Sequence, residues 1–168
     1  EVEANFGRAA DGPGHAFTAL NTACLSDGAL IVVPDGAIVA APVHLVFLAA
    51  GSGARVMAHP RVLIVAGVNS QVSIVESYGA IGTDGYLTNA VTEILAADGA
   101  VVHHDRVQRE SVPSFHVGGL FLRASRDANI VCTSITFGGS LVRNDVTAVL
   151  DGEGAGCTLN GLYLGDGA

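Results

Sequence analysis

Val72-Ser-Ile-Val-Glu76, Val101-Val-His-His-Asp105, Ile130-Val-Cys-Thr-Ser134 and Cys157-Thr-Leu-Asn-Gly161 are the runs on which the fold turns. They start at residues 72, 101, 130 and 157, so the spacing is 29, 29 and 27. Each is entered through small turn residues: Asn69-Ser70, Asp98-Gly99, Asp127-Ala128 and Gly152-Glu-Gly-Ala-Gly156. Self-similarity at this period marks a solenoid, in which one supersecondary unit stacks on the next. Val, Ile, Thr and Phe dominate the runs and suit a pleated, half-buried surface. Gly and Asx interrupt them too often for helical hairpins. Tyr86–Leu95, Phe115–Arg123 and Val142–Leu150 supply a second strand set between them. The fold class predicted is all-β, a parallel β-helix whose strands are stacked coils.

Working outward, the spacing of Ala16, Leu20, Ala23 and Cys24 predicts one short N-terminal helix over His15–Leu25, stopped by Ser26-Asp27-Gly28. Strands are expected at Ala29–Val33, Ala37–Ala40, Val43–Ala50 and Arg61–Ala66, with Pro34-Asp35-Gly36 as a turn. Ser77–Ala80 and Gly82–Gly85 read as a corner that pivots on Gly79, Gly82 and Gly85. Residues 1–14 read as a linker or the end of an upstream segment, and 15–168 as one β-helix core. Glu1 is not Met and nothing resembling a capping helix follows Leu164, so further chain is expected beyond residue 168.

Composition narrows the function. The net charge is −8, with eight Arg and no Lys, which argues against a surface that tracks nucleic-acid phosphates. The longest apolar stretch, Ala37–Gly51, is interrupted by Pro42 and His44 and is too short for a helical membrane span. Cys24, Cys132 and Cys157 form neither a CxxC pair nor a disulfide framework, which favours a reducing, cytoplasmic setting.

Four constellations invite chemistry. His103 and His104 are neighbours on a strand and so face opposite ways. The period stacks His103 near Ile74 and Cys132, where an inward His beside a Cys is either a soft-metal pair or a satisfied core histidine. Cys132 and Cys157 lie about one coil apart and come close if both face inward, although buried free cysteines ordinarily act as small hydrophobes. Cys24 reads as a packing residue of the helix. Arg143-Asn-Asp145 with Asp151-Gly-Glu153 places several acids near a turn, where Ca²⁺ or glycosidase chemistry competes with plain solvation. Arg106, Arg109 and Glu110 suggest an exposed ion-pair ladder. Gly51-Ser-Gly-Ala54 reads as a turn, since no phosphate fingerprint surrounds it. No GxSxG elbow, HExxH helix or spaced metal tetrad occurs. The sequence therefore assigns no catalytic, cofactor-binding or metal residue, and no enzymatic activity is expected.

Several runs carry a family resemblance. They are His59-Pro-Arg-Val-Leu-Ile-Val-Ala66, Asn89-Ala-Val-Thr-Glu-Ile94, Val107-Gln-Arg-Glu110, Gly138-Gly-Ser-Leu-Val-Arg-Asn-Asp145, and Val149-Leu-Asp-Gly-Glu-Gly154 leading into Cys157-Thr-Leu-Asn-Gly-Leu-Tyr163. Together with Ala19-Leu-Asn-Thr-Ala23 they resemble the SufB/SufD family of iron–sulfur cluster assembly proteins, more closely the SufD member than SufB. Asp105, Arg106 and Gly156 depart from the family pattern. The resemblance implies a right-handed parallel β-helix core acting as a scaffold, paired with a SufB-like subunit and working with a SufC-like ATPase docked through segments outside this sequence. The residues themselves also leave open a β-helix polysaccharide lyase or hydrolase, and a self-associating solenoid that forms a homodimer.

Overall fold

The computed structural model describes residues 2–10, 15–50, 56–82 and 85–165. Two helices, α1 (Val2–Asn5) and α2 (Ala16–Cys24), precede β1 (Gly28–Val33), β2 (Val43–Ala50), β3 (Val56–Ala58) and β4 (Arg61–Ala66). Then come β5 (Gln71–Ile81), β6 (Tyr86–Ala96), β7 (Val101–Arg109), β8 (Phe115–Ala124), β9 (Asn129–Phe137), β10 (Leu141–Leu150) and β11 (Gly156–Leu164). From β4 onward, successive strands alternate between two sheets. The first has the order β1-β4-β6-β8-β10, with β3 also on β6, and the second β11-β9-β7-β5-β2. Pairing is parallel in both sheets. The result is a β-solenoid of about four turns, as the repeat spacing predicts.

One corner of each coil is invariant. Residues 34–37, 67–70, 97–100, 125–128 and 152–155 each close with a hydrogen bond from the fourth amide to the first carbonyl. The third residue of each, Gly36, Asn69, Gly99, Asp127 or Gly154, has φ between 54° and 72°. Positive φ at the third position alone is the type II signature, which favours Gly or Asn there. These residues also donate from coil to coil, Asn69 N to Asp98 O (2.9 Å), Gly99 N to Arg126 O (2.9 Å) and Asp127 N to Glu153 O (2.9 Å). Asn69 and Asp127 fold their side chains over Gly99 and Gly154. A Cβ at either glycine would lie 2.2 Å or 2.1 Å from the neighbour's Oδ1. Asx and Gly therefore alternate up this column for a steric reason.

The rest of each coil varies in length: β5 and β6 have 11 residues each, against 9 and 10 in β7 and β8 and again in β9 and β10. This corrects the register. Val72 pairs with Val102 and Ile130 with Cys157, while Val101 stacks on Gln71. The true steps are thus 30, 28 and 27 residues, and a strict period of 29 misplaces the β7 run by one. The expected corner at Ser77–Ala80 is also corrected, because β5 continues through it to Ile81. Of the three proposed pivots only Gly82 has a positive φ, 101°. Ala37–Ala40 is not a strand and makes a single bridge, Ile38 to Gln71. The Gly51–Ala54 turn lies outside the described residues. Residues 2–10, read as part of a linker or the end of an upstream segment, form α1 and a segment laid against the first sheet.

Between the sheets, near the type II corners, lies an apolar core: Val62, Ile64 and Ala66 of β4, Val72 and Ile74 of β5, Ile94 and Ala96 of β6, Leu120, Leu122 and Ala124 of β8, with Val102 and Ile130. Its residues stack in columns, such as Ile64–Ile94–Leu122. A column of aliphatics is stable because each coil supplies the cover that its neighbour lacks.

Candidate functional site

Further from the type II corners, the interior turns polar. The period-2 alternation that buries Val72 and Ile74 also buries Glu76 and Tyr78, and on β7 it buries Val102, His104, Arg106 and Gln108. Glu76 is wholly buried and receives four groups. His104 Nε2 donates to Oε1 at 2.9 Å, Thr92 Oγ1 to Oε1 at 2.9 Å and Tyr78 Oη to Oε2 at 2.8 Å. Arg106 Nε sits 3.8 Å from Oε2, and its Nη2 reaches Thr92 Oγ1 at 3.3 Å. Gly118 makes room for that guanidinium, since a Cβ there would lie 2.6 Å from Nη1.

A second buried carboxylate, Glu110, takes bonds from His116 Nδ1 (2.8 Å), Gln108 Nε2 (3.0 Å) and Thr88 Oγ1 (2.5 Å). Tyr78 connects the two groups, edge-on to the His116 ring with centroids 5.1 Å apart. Burying a charge without partners is prohibitive, so two acids survive here only because donors surround them.

Burial alone would raise the Glu76 pKa. The adjacent His104, its hydrogen bond, the Arg106 charge and the Tyr78 hydroxyl override that and hold it at about 2. Glu110 is likewise lowered against the pull of burial, chiefly by the His116 hydrogen bond and charge. Burial pushes Tyr78 well above its ordinary value, and Glu76 adds to this. A depressed carboxyl pKa stabilises the fold above the unfolded value and loses that contribution as pH falls. Going from 4.5 to about 2 is worth about 3 kcal/mol at neutral pH. The urea midpoint is therefore expected to fall steadily from about pH 4.5 towards pH 2, with Glu110 adding in the same sense. Glu76→Gln should remove most of that slope, as chemical denaturation across the pH series will report.

The polar interior opens towards β11 into a cleft of about 210 Å³, lined by His104, Arg106, Cys132, Ser134, Asn144 and Tyr163 among others. His104, not His103, faces inward. It pairs with Ile74 and Cys132, while His103 pairs with Ser73 and Val131 and is exposed. Cys132 is buried, and burial pushes its thiol up to about 12, with Cys157 contributing. Cys157 pairs with Ile130, whereas Cys132 pairs with Leu159. The two thiols are thus diagonal neighbours on adjacent strands, and both are free.

The remaining candidates are surface features or were misassigned. Cys24 is exposed, not the buried packing residue expected of the helix. Helix α2 is anchored by buried Asn21, whose Nδ2 donates to Pro60 O (2.9 Å) and Asn89 O (2.8 Å). Arg143 pairs with Asp145 at 2.9 Å and Arg123 with Asp151 at 3.5 Å, all on the surface, and Glu153 is exposed. Arg106 and Glu110 do not join Arg109 in an exposed ladder; alternation buries both and leaves Arg109 outside. Among the described residues no group of three or more His, Cys, Asp or Glu is placed to hold a metal ion. No helix there is long and apolar enough to cross a membrane.

The last coil differs from those beneath it. Val146, Leu150, Leu159 and Tyr163 occupy positions that face inward elsewhere, yet they are 44%, 53%, 52% and 62% exposed. Among the described residues, β10 and β11 each lie at one end of their sheet.

Comparison with known proteins assigns this architecture. Residues 47–168 match the family model described as SUF system FeS cluster assembly, SufBD core domain. An iron–sulfur cluster assembly SufBD family protein of Synechocystis is 34% identical over 155 residues, covering 87% of this chain and 34% of the relative. Protein ABCI7, chloroplastic, of Arabidopsis thaliana is 28% identical over 139 residues, covering 79% and 29%. The iron–sulfur cluster assembly protein SufD of Bacillus subtilis is 32% identical over 98 residues, covering 58% and 22%. The chain thus spans about a third or less of the length of these relatives. No solved structure matches it. With a stacked parallel solenoid and a family match over most of its length, the chain belongs to the SufBD family of iron–sulfur cluster assembly proteins.

Proposed function

We propose that this chain is the β-helix core, residues 15–168, of a SufD-like scaffold subunit that has no catalysis of its own. It pairs with a SufB-like subunit and works beside a SufC-like ATPase. The observation that supports the reading is the match of residues 47–168 to the SufBD core domain on a stacked parallel solenoid. The likeness to a protein named SufD supports that member of the family over others. A stiff solenoid suits the role, because rows of stacked coils fix the separation of whatever is attached at either end.

The test is co-purification. The tagged full natural chain is co-expressed with a SufB-like and a SufC-like protein. The SufB-like subunit is expected to co-purify, together with the SufC-like protein, and recovery of neither protein contradicts the reading.

A further inference from the structure

Glu93 lies on the outer face of the first sheet, where a carboxylate would ordinarily be solvated, yet it is wholly buried. What buries it is the N-terminal segment. Gly7 N donates to Glu93 Oε1 at 3.0 Å, and Ala9 N and Ala10 N donate to Oε2 at 3.1 and 3.2 Å. From the other side Arg61 Nε and Nη2 reach Oε1 at 3.2 and 2.5 Å. Arg61 is held in turn by Asn21 Oδ1 (3.2 Å) and Thr22 Oγ1 (3.4 Å) of α2. The Phe6 ring lies over the same guanidinium, 4.6 Å from its carbon. Below, Leu63, Val91, Leu95 and Phe121 make an apolar floor on which Ala9 is buried and Phe6 and Ala10 pack.

The contacts divide by what they recognise. Three of them read backbone amides, and such a clamp accepts any side chain at those positions. Arg61 reads an aromatic face. Against the floor sits the small side chain of Ala9, buried. Gly7 has φ +81°, which fits glycine at the bend between the aromatic and the clamped amides. The strand ladders run from Gly28 to Leu164 and take nothing from this segment. The segment thus sits on the solenoid as a ligand does, in a receptor completed by other elements.

We propose that Arg61, Glu93 and the floor around Leu63, Val91, Leu95 and Phe121 form a peptide-docking groove, filled here by the chain's own Phe6–Ala10 and open to the same segment of a second copy. Its ligand class is a short peptide with an aromatic residue, then glycine, one outward-facing residue and two small ones, held by its amides. The groove lies on the sheet face, away from the last coil, and does not depend on the SufD-like reading.

The probe is a fluorescein-labelled peptide of residues 2–10, added to the full chain. Phe6→Ala loosens the resident segment, so that chain is expected to bind the probe at least about tenfold more tightly than the unaltered one. A chain carrying both Phe6→Ala and Glu93→Gln should lose that binding, at least about tenfold. Hydrogen exchange on the unaltered chain gives a check that needs no substitution: the amides of Gly7, Ala9 and Ala10 should exchange at least about tenfold faster than those of Ile64 and Ile94. No binding to the Phe6→Ala chain, binding indifferent to Glu93→Gln, or amides at 7, 9 and 10 that open only with the strands overturns the proposal.

Discussion

Glu76→Ala is expected to cost about 3–5 kcal/mol, the largest loss from any single substitution in the polar interior. The carboxylate is the common acceptor for His104, Thr92 and Tyr78 and the counter-charge of Arg106. Removing it leaves the buried guanidinium and imidazole without their anionic partner. For a chain of this size the midpoint of thermal unfolding should drop by about 6–20 °C. Glu76→Gln keeps the shape and one acceptor, so its loss should be clearly smaller. Calorimetry or a circular-dichroism melt on the three proteins will show the order.

The second large effect belongs to the apolar half. Ile94 is fully buried in the middle of a column, with Ile64 on one side and Leu122 on the other. Ile94→Ala is expected to cost about 2–5 kcal/mol, because neighbours pinned by inter-coil ladders cannot collapse into the gap. Urea denaturation should show a lower midpoint with an unchanged slope, since the surface exposed on unfolding stays the same. A loss below about 1 kcal/mol would mean that the column is loosely packed.

The two halves of the interior pose different questions. Aliphatic rows alone would close a solenoid, as the Ile64–Ile94–Leu122 column does. Buried ionic clusters are often no more stable than apolar residues of similar volume. The block around Glu76 and Glu110 therefore need not exceed the stability of apolar residues of the same volume. Its His104 and Arg106 also line the cleft beside Cys132 and Ser134.

Much of this was legible in the residues. Turn residues and β-branched runs recur at nearly fixed steps, and stacking follows from that. What the spacing hid was register. The first coil takes 30 residues and the second 28, because β5 and β6 are longer than β7 and β8, so a constant period slides His103 into the place that His104 occupies. Alternation within β7 settles the matter without coordinates, because Val102 must face inward with its neighbours two apart, and that set includes His104 and Arg106. The same reasoning applied to Val72, Ile74 and Tyr78 buries Glu76, although charge alone argued for solvent. Nothing local marked Glu93 as buried, since its cover comes from residues more than 80 positions away. Helix α2 was found by its spacing, but its apolar positions were a poor guide to docking, which rests on Asn21.

A double-mutant cycle pairing Glu76→Gln with His104→Gln, run beside one pairing Glu76→Gln with His103→Gln, reads the stacking of coils most directly. Residues 76 and 104 share no local sequence, so they couple only if the chain winds back in the observed register. A coupling of at least about 1 kcal/mol for the first pair, and below about 0.5 kcal/mol for the second, is the predicted result. Additivity at 76 and 104, or equal coupling at 103, would contradict the wound fold with its polar interior.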